Sequence, residues 1–284
     1  MILLRGFKTR NPIATSAKSV HIQPMLPTLF ISHGSPMTML QDTPARHFLE
    51  SLATLLPRPQ AILSISAHWE TAQPEVSKPP ENTTIYDFYN FPQSLYELTY
   101  TPPVAHALAD RVKTLLDDAG FYCRQDPAQG LDHGSWVPLK LAYPAADIPV
   151  IQLAVQPHLG ALHHLAMGAA LRALRSEDVL ILGSGSFTHD LRRFRRGRPE
   201  LYAPQTQDVA DFAAWMDARI MAGDLEALAD YRRQAPYAVE EHPTEEHLLP
   251  LHVALGAAGP GIVAKKLHDS VEYGFLRMDA YEFT

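Results

Sequence analysis

The sequence predicts a single α/β domain with a central mixed, mainly parallel sheet flanked by helices. Two observations carry that expectation. Short apolar runs rich in Leu, Ile and Phe, each bounded by Gly, Pro or Ser, recur along the chain as strands buried on both faces do. Segments of helical periodicity alternate with them. The chain has 284 residues, 46% of them hydrophobic, so it can bury a full core. No linker and no internal repeat divides it.

The first strand covers residues 28–32 and is followed by the turn Gly34-Ser35-Pro36. Residues 44–56 then place Phe48, Leu49, Leu52, Leu55 and Leu56 on one helical face. A second strand spans 61–67, and the strand, helix, strand order makes a parallel crossover the natural connection. Residues 71–102 are too irregular for a long helix and too aromatic for disorder, with Tyr86, Phe88, Tyr89, Phe91, Tyr96 and Tyr100; they read as a packed excursion walling a pocket. A helix over 103–119 is stopped by Gly120. Strand 150–155, helix 159–175 and strand 179–183 continue the alternation. Helical patterns at 206–222, 224–233 and 244–255 follow, and 265–283 reads as one or two edge strands.

Residues 1–25 carry Arg5, Lys8, Arg10 and Lys18 and no acidic residue. A transit peptide has that composition, but a disordered extension, or a start upstream of Met25, is the simpler reading. The catalytic domain is expected to occupy 26–284.

A net charge of -7 argues against nucleic-acid binding, which needs a basic face. The single cysteine, Cys123, excludes an intramolecular disulfide and a cysteine-rich zinc site, so any metal relies on His, Asp and Glu. No apolar stretch reaches the ~20 residues that span a bilayer. A cytoplasmic small-molecule enzyme is expected, with no nucleic-acid or membrane partner and with its state as monomer or homo-oligomer open.

Three apolar runs end on or shortly before a histidine: His33, His68 and His189. Ligands of open α/β sheets sit beyond the carboxyl ends of the strands, so these residues converge on one crevice, as metal ligands would. A hydrogen-bonded rim histidine explains any one of them, but less readily two at equivalent positions. His133 and His189 lie in glycine-containing loops, where imidazole is the usual proton carrier. His247 follows His242-Pro243-Thr244-Glu245-Glu246, with Thr244 as a candidate N-cap and the helix start as a rigid mount. This is not the H-E-x-x-H zinc pattern, and the Gly183 loop, with Thr188 where glycine is needed, is not a dinucleotide fingerprint. Ser186, His189 and Asp190 stand too close in sequence for the usual hydrolase triad. Five arginines in 192–198 suit either a solvated loop or a grip on a substrate carboxylate. His163 and His164 are expected on a helix surface.

Taken in order, His-Gly-Ser-Pro at 33–36, Ser-Ala-His-Trp at 66–69, Asp-His-Gly-Ser-Trp at 132–136, Thr188-His189 and Pro-Thr-Glu-Glu-His at 243–247 resemble the class III extradiol ring-cleavage dioxygenases. Within them the set is similar to the 4,5-DOPA dioxygenase-like branch of the LigB superfamily. The resemblance implies His33, His68 and His247 as metal ligands, His189 as acid/base and His133 as a contact to substrate or oxygen. Glu246 is the alternative third ligand, since better-known relatives use two histidines and a glutamate. It further implies one divalent metal, Fe(2+) for catalysis with Zn(2+) possible as bound, and a DOPA-like catechol and O2 as substrates, opened to a muconic semialdehyde. Residues 85–92 look like the branch's H-D-F-x-G-F-P element, with Tyr86 replacing the His and Asn90 the Gly. Two other readings share these residues: a zinc-dependent hydrolase at the same histidines, and a non-catalytic interaction protein of the same fold.

Overall fold

A computed structural model describes residues 25–197 and 199–284. The extension expected over 1–25 therefore lies outside the described residues except for Met25, as does Arg198. The strands are β1 (Thr28–Ser32), β2 (Ala61–Glu70), β3 (Glu75–Ser77), β4 (Arg124–Asp126), β5 (Val150–Val155), β6 (Val179–Gly185), β7 (Ala264–His268), β8 (Val271–Glu272), β9 (Leu276–Arg277) and β10 (Ala280–Phe283). The helices are α1 (Pro44–Leu55), α2 (His106–Asp118), α3 (His133–Ala142), α4 (Gly160–Ala170), α5 (Arg192–Arg196), α6 (Gln207–Ala222), α7 (Leu225–Ala229), α8 (Tyr231–Gln234), α9 (Ala238–Glu241) and α10 (Leu249–Ala258).

Among the described residues, eight strands form one mixed sheet in the order β4-β3-β5-β2-β6-β1-β10-β7. Its centre is parallel: β6 pairs with both β1 and β2, and β2 with β5. The expected crossover holds, with β6 inserted between the two strands it joins. Alternate side chains of β1 feed opposite cores, as a strand's period of two requires: Phe30 joins the cluster under α2, α4, α6 and α10, whereas Leu29 and Ile31 join the one under α1, α3 and the aromatic excursion.

Several expectations need correcting. The carboxyl-terminal strands are not all at an edge, because β10 lies between β1 and β7. On α1, Phe48, Leu49 and Leu52 are buried but Leu55 is half exposed. The helix expected over 159–175 ends at Ala170 and continues as a tighter 3-10 turn, and the pattern at 224–233 splits into α7 and α8. His164 is not on the surface: its buried ring accepts from the Gln156 backbone N–H at 3.0 Å. Residues 244–248 are not helical, so α10 begins at Leu249 and His247 sits on the turn before it. Thr244 accordingly caps nothing and donates to Glu246 instead.

Candidate metal centre

Five histidines meet at the carboxyl end of the central strands. His33 leaves β1 and is held by its N–H to the Gly185 carbonyl at 2.9 Å. His68 was expected just past a strand end, yet β2 runs on to Glu70; the register with β5 shifts after Ile65, so His68 sits on an irregular stretch of the strand. His133 was expected in a loop and instead opens α3, whose N-cap Asp132 accepts from the Ser135 N–H. Gly134 and Pro138 conceal this helix from a propensity reading; the Asp132 cap, three residues before Ser135, was the available signal. Glycine at 134 is required by close approach: a Cβ there would lie 2.5 Å from Ser66 Oγ and 3.0 Å from the His68 ring.

The glycines of Gly183-Ser184-Gly185 have a similar purpose. A Cβ on Gly185 would stand 2.0 Å from the His247 carbonyl, and one on Gly183 would stand 2.3 Å from that of Pro250. The turn carrying His247 thus presses directly on β6, pinned by the Ser186 N–H to the His247 carbonyl at 2.8 Å. Close backbone approach, not phosphate binding, accounts for the glycine pattern.

Three imidazole nitrogens converge. His33 Nε2 and His68 Nε2 are 3.1 Å apart, and His247 Nε2 is 3.3 Å from His68 Nε2. The outer nitrogens fix the tautomers. Ser184 Oγ donates to the Gly134 carbonyl, so at 3.1 Å it must accept from His33 Nδ1–H. Glu246 Oε1, an acceptor only when ionised, takes His247 Nδ1–H at 2.9 Å. Both Nε2 lone pairs then point at His68, an arrangement that repels unless a proton or a cation lies between them. Burial, reinforced by the neighbouring imidazoles, holds His33, His68 and His247 well below the usual histidine range. They are neutral, which is the state that ligates metal. The donor set therefore fits a divalent cation, and the carboxylate and hydroxyl behind it are the outer partners such ligands normally have.

The other two imidazoles line the same space. The His189 ring stacks on His247 with centroids 3.3 Å apart, the His189 backbone N–H is held by the Glu241 carbonyl at 2.8 Å, and burial, with His242 and His133 adding, pushes the imidazole pKa down to about 3. His133 is gripped at two points by Asp87: backbone N–H to Oδ1 at 2.9 Å and Nδ1 to Oδ2 at 2.8 Å. Burial acts to raise the Asp87 carboxyl, but the hydrogen bond and charge of His133 prevail and hold it below the ordinary range. Sequence reading did not single out Asp87. His33, His68 and His133 offer one group of ligand atoms within 4.8 Å of one another, and His189, Glu246 and His247 a second.

The histidines floor a cavity of about 450 Å³ whose walls include Met37, Phe88, Phe91, Leu191, Phe194 and Leu276. The aromatic excursion does wall the pocket, through Phe88 and Phe91. Tyr86 packs behind them, its hydroxyl donating to the Leu98 carbonyl. The hydrolase triad is absent as chemistry: Ser186 Oγ donates to the Thr188 carbonyl, and Asp190 holds Arg192. Arg192, Arg193, Arg195 and Arg196 lie on α5; Arg195 and Arg196 are exposed, whereas Arg193 is half-buried against Asp208 and Glu241.

Comparisons with known proteins point to one family. The family model described as the catalytic LigB subunit of aromatic ring-opening dioxygenase matches residues 27–281. A Beta vulgaris protein named 4,5-DOPA dioxygenase extradiol is 45% identical over 261 residues, covering 90% of this chain and 96% of the relative. The protein of that name from Escherichia coli K12 is 38% identical, covering 82% and 85%. A crystal structure of an uncharacterized Escherichia coli K12 protein superposes with a TM-score of 0.74 at 32% identity, covering 90% of this chain and 99% of that one.

Proposed function

The chain belongs to the LigB family of aromatic ring-opening dioxygenases, oxidoreductases of the extradiol type, and on that premise we propose that it opens a catechol at a divalent iron held by His33, His68 and His247. The observation that carries the ligand assignment is the approach of His68 Nε2 to His33 Nε2 at 3.1 Å and to His247 Nε2 at 3.3 Å, with the tautomers of His33 and His247 fixed from behind. Glu246 belongs behind His247 as its hydrogen-bond acceptor, not beside it as a ligand. When bound, the metal supplies a Lewis-acidic template and, as iron, redox chemistry for dioxygen.

The chain's own groups do the rest. His189, kept neutral by burial, takes a proton from a catechol hydroxyl and returns it as the ring opens. His133, oriented by Asp87, presents its outer ring edge to the substrate or oxygen side of the pocket. The apolar walls exclude water from the reacting ring. The bond broken is the one beside the two hydroxyl-bearing carbons, and both atoms of O2 enter the product, a muconic semialdehyde. The names of the relatives make DOPA a first catechol to try. The described residues contain no helix long and apolar enough to cross a membrane, and with its one cysteine buried the protein is proposed to work in the cytoplasm.

The test is anaerobic loading with Fe(II), followed by a catechol panel with oxygen uptake and semialdehyde absorbance recorded together. One O2 consumed per ring opened is expected. Zinc-loaded protein should be inert, and absence of uptake with every catechol would remove the oxygenase reading.

A further inference from the structure

The ring-cleavage reading leaves open what the substituent of the catechol meets, and one residue of the wall stands where local preference argues against it. The Phe275 N–H reaches back to the Glu272 carbonyl at 3.2 Å and closes a tight turn between β8 and β9. Its two central residues, Tyr273 and Gly274, both have positive φ, 56° and 73°. Type I′ turns share that pattern and favour Asn-Gly, because a bulky side chain in the left-handed region is strained. The strained turn is held from outside: the Tyr273 N–H donates to the Leu201 carbonyl at 2.7 Å, and the Thr206 N–H to the Gly274 carbonyl at 3.0 Å. Backbone strain sustained in this way gathers at ligand-binding sites, and Tyr273 lines the cavity that the histidines floor.

The Tyr273 side chain is fixed as well. Its ring packs edge to face on Phe194 of α5, with centroids 5.0 Å apart and planes at 73°. Its hydroxyl oxygen accepts from Gln41 Nε2–H at 3.1 Å. A phenol that accepts through its oxygen keeps its own proton to give, and among the described residues no acceptor takes it. The other hydroxyls on the lining have local duties: Ser186 donates to the Thr188 carbonyl, and Ser35 accepts from the Met37 N–H as the cap of a 3-10 turn. Phe88, Phe91, Leu191 and Leu276 keep the surrounding wall apolar. A carboxylate entering there loses water, and a donor whose oxygen is already anchored offers it a charge-assisted hydrogen bond in return.

We propose that Tyr273 determines specificity by donating its phenolic O–H to a carboxylate on the substituent of the catechol, with Gln41 as the residue that positions it. This rests on the ring-cleavage reading, so binding is measured first and turnover second. The experiment is calorimetric titration of the iron-loaded enzyme without oxygen, using dihydroxyphenylpropionate, DOPA and propylcatechol, followed by oxygen uptake with each. Tyr273→Phe keeps the ring on Phe194 and removes the O–H. It should weaken both carboxylates by about 10-fold or more relative to propylcatechol, as loss of a hydrogen bond to a charged group does. Gln41→Ala should shift the same ratio by a smaller factor. An unchanged ratio in Tyr273→Phe, equal weakening of all three catechols, or no binding of either carboxylate by the unaltered protein overturns the inference. The expected shift with no oxygen uptake supports the inference while removing the ring-cleavage reading.

Discussion

Two imidazole–carboxylate pairs flank His68, and they differ in what joins them. His247 and Glu246 are neighbours on one turn, bonded at 2.9 Å. His133 and Asp87 are bonded at 2.8 Å but come from the start of α3 and from the aromatic excursion, 46 positions apart. In the first pair the free nitrogen points at the His68 ring, 3.3 Å from its Nε2. In the second the His133 ring lies tilted against the His68 ring, with centroids 3.9 Å apart; a His133 nitrogen comes within 4.8 Å of those of His33 and His68 but bonds to neither. The same chemical unit is therefore expected to hold a metal on one side and to handle substrate on the other, and the difference is the 3.3 Å approach of the free His247 nitrogen to His68.

That division can be broken by mutation. The largest effect is expected from His247→Ala, which should reduce bound iron to background, measured by elemental analysis, and abolish ring opening; retained stoichiometric metal would transfer the ligand role to Glu246. His189→Ala should lower kcat by about 10²–10⁴ while leaving metal content intact, and an unchanged kcat would end its acid/base assignment. The two carboxylates should then separate. Glu246→Gln is expected to weaken metal affinity by about 10–100-fold, whereas Asp87→Asn should lower kcat with metal affinity unaltered. If both weakened metal binding alike, the two pairs would have one role and the comparison would fail.

The smallest effect concerns the support beneath His133. Asp132 is fully buried, accepting from Ser66 Oγ at 2.6 Å and Gln152 Nε2 at 2.9 Å, and burial pushes its carboxyl up to about 6 from 3.8. A raised carboxyl pKa means the folded protein holds a proton that the unfolded chain has released. Its share of stability is intact below about pH 4 and is lost as pH rises through 6, about 3 kcal/mol in all. Asp132→Asn, which keeps the helix cap, should remove that slope in denaturant titrations between pH 4 and 6. An identical slope in the variant would mean that Asp132 is ionised throughout.

Much of this centre was legible from residue order. The apolar runs ending near His33, His68 and His189 located the crevice because strand direction and strand length are local properties, set by side chains a few positions apart. The ordered motifs then separated His247 from His189. What was missed has a common cause. Asp87 carries no local mark of its partner, the helix that His133 opens was hidden by Gly134 and Pro138, and His164 looked like a surface residue until α4 packed it under Gln156. The arginine run read as one feature, whereas the fold divides it into ion-paired Arg192 and Arg193 and a wall residue, Phe194.

The sequence by itself determined the α/β alternation and the histidines of the crevice, since each follows from patterning within a short segment. Only the tertiary structure decided which nitrogens meet. The 3.1–3.3 Å convergence depends on β6 lying between β1 and β2, and on a turn pressed against Gly185 closely enough to exclude a Cβ. Those are relations between segments more than 30 residues apart. Backbone hydrogen bonding and packing between those segments fix them, and no local pattern encodes either.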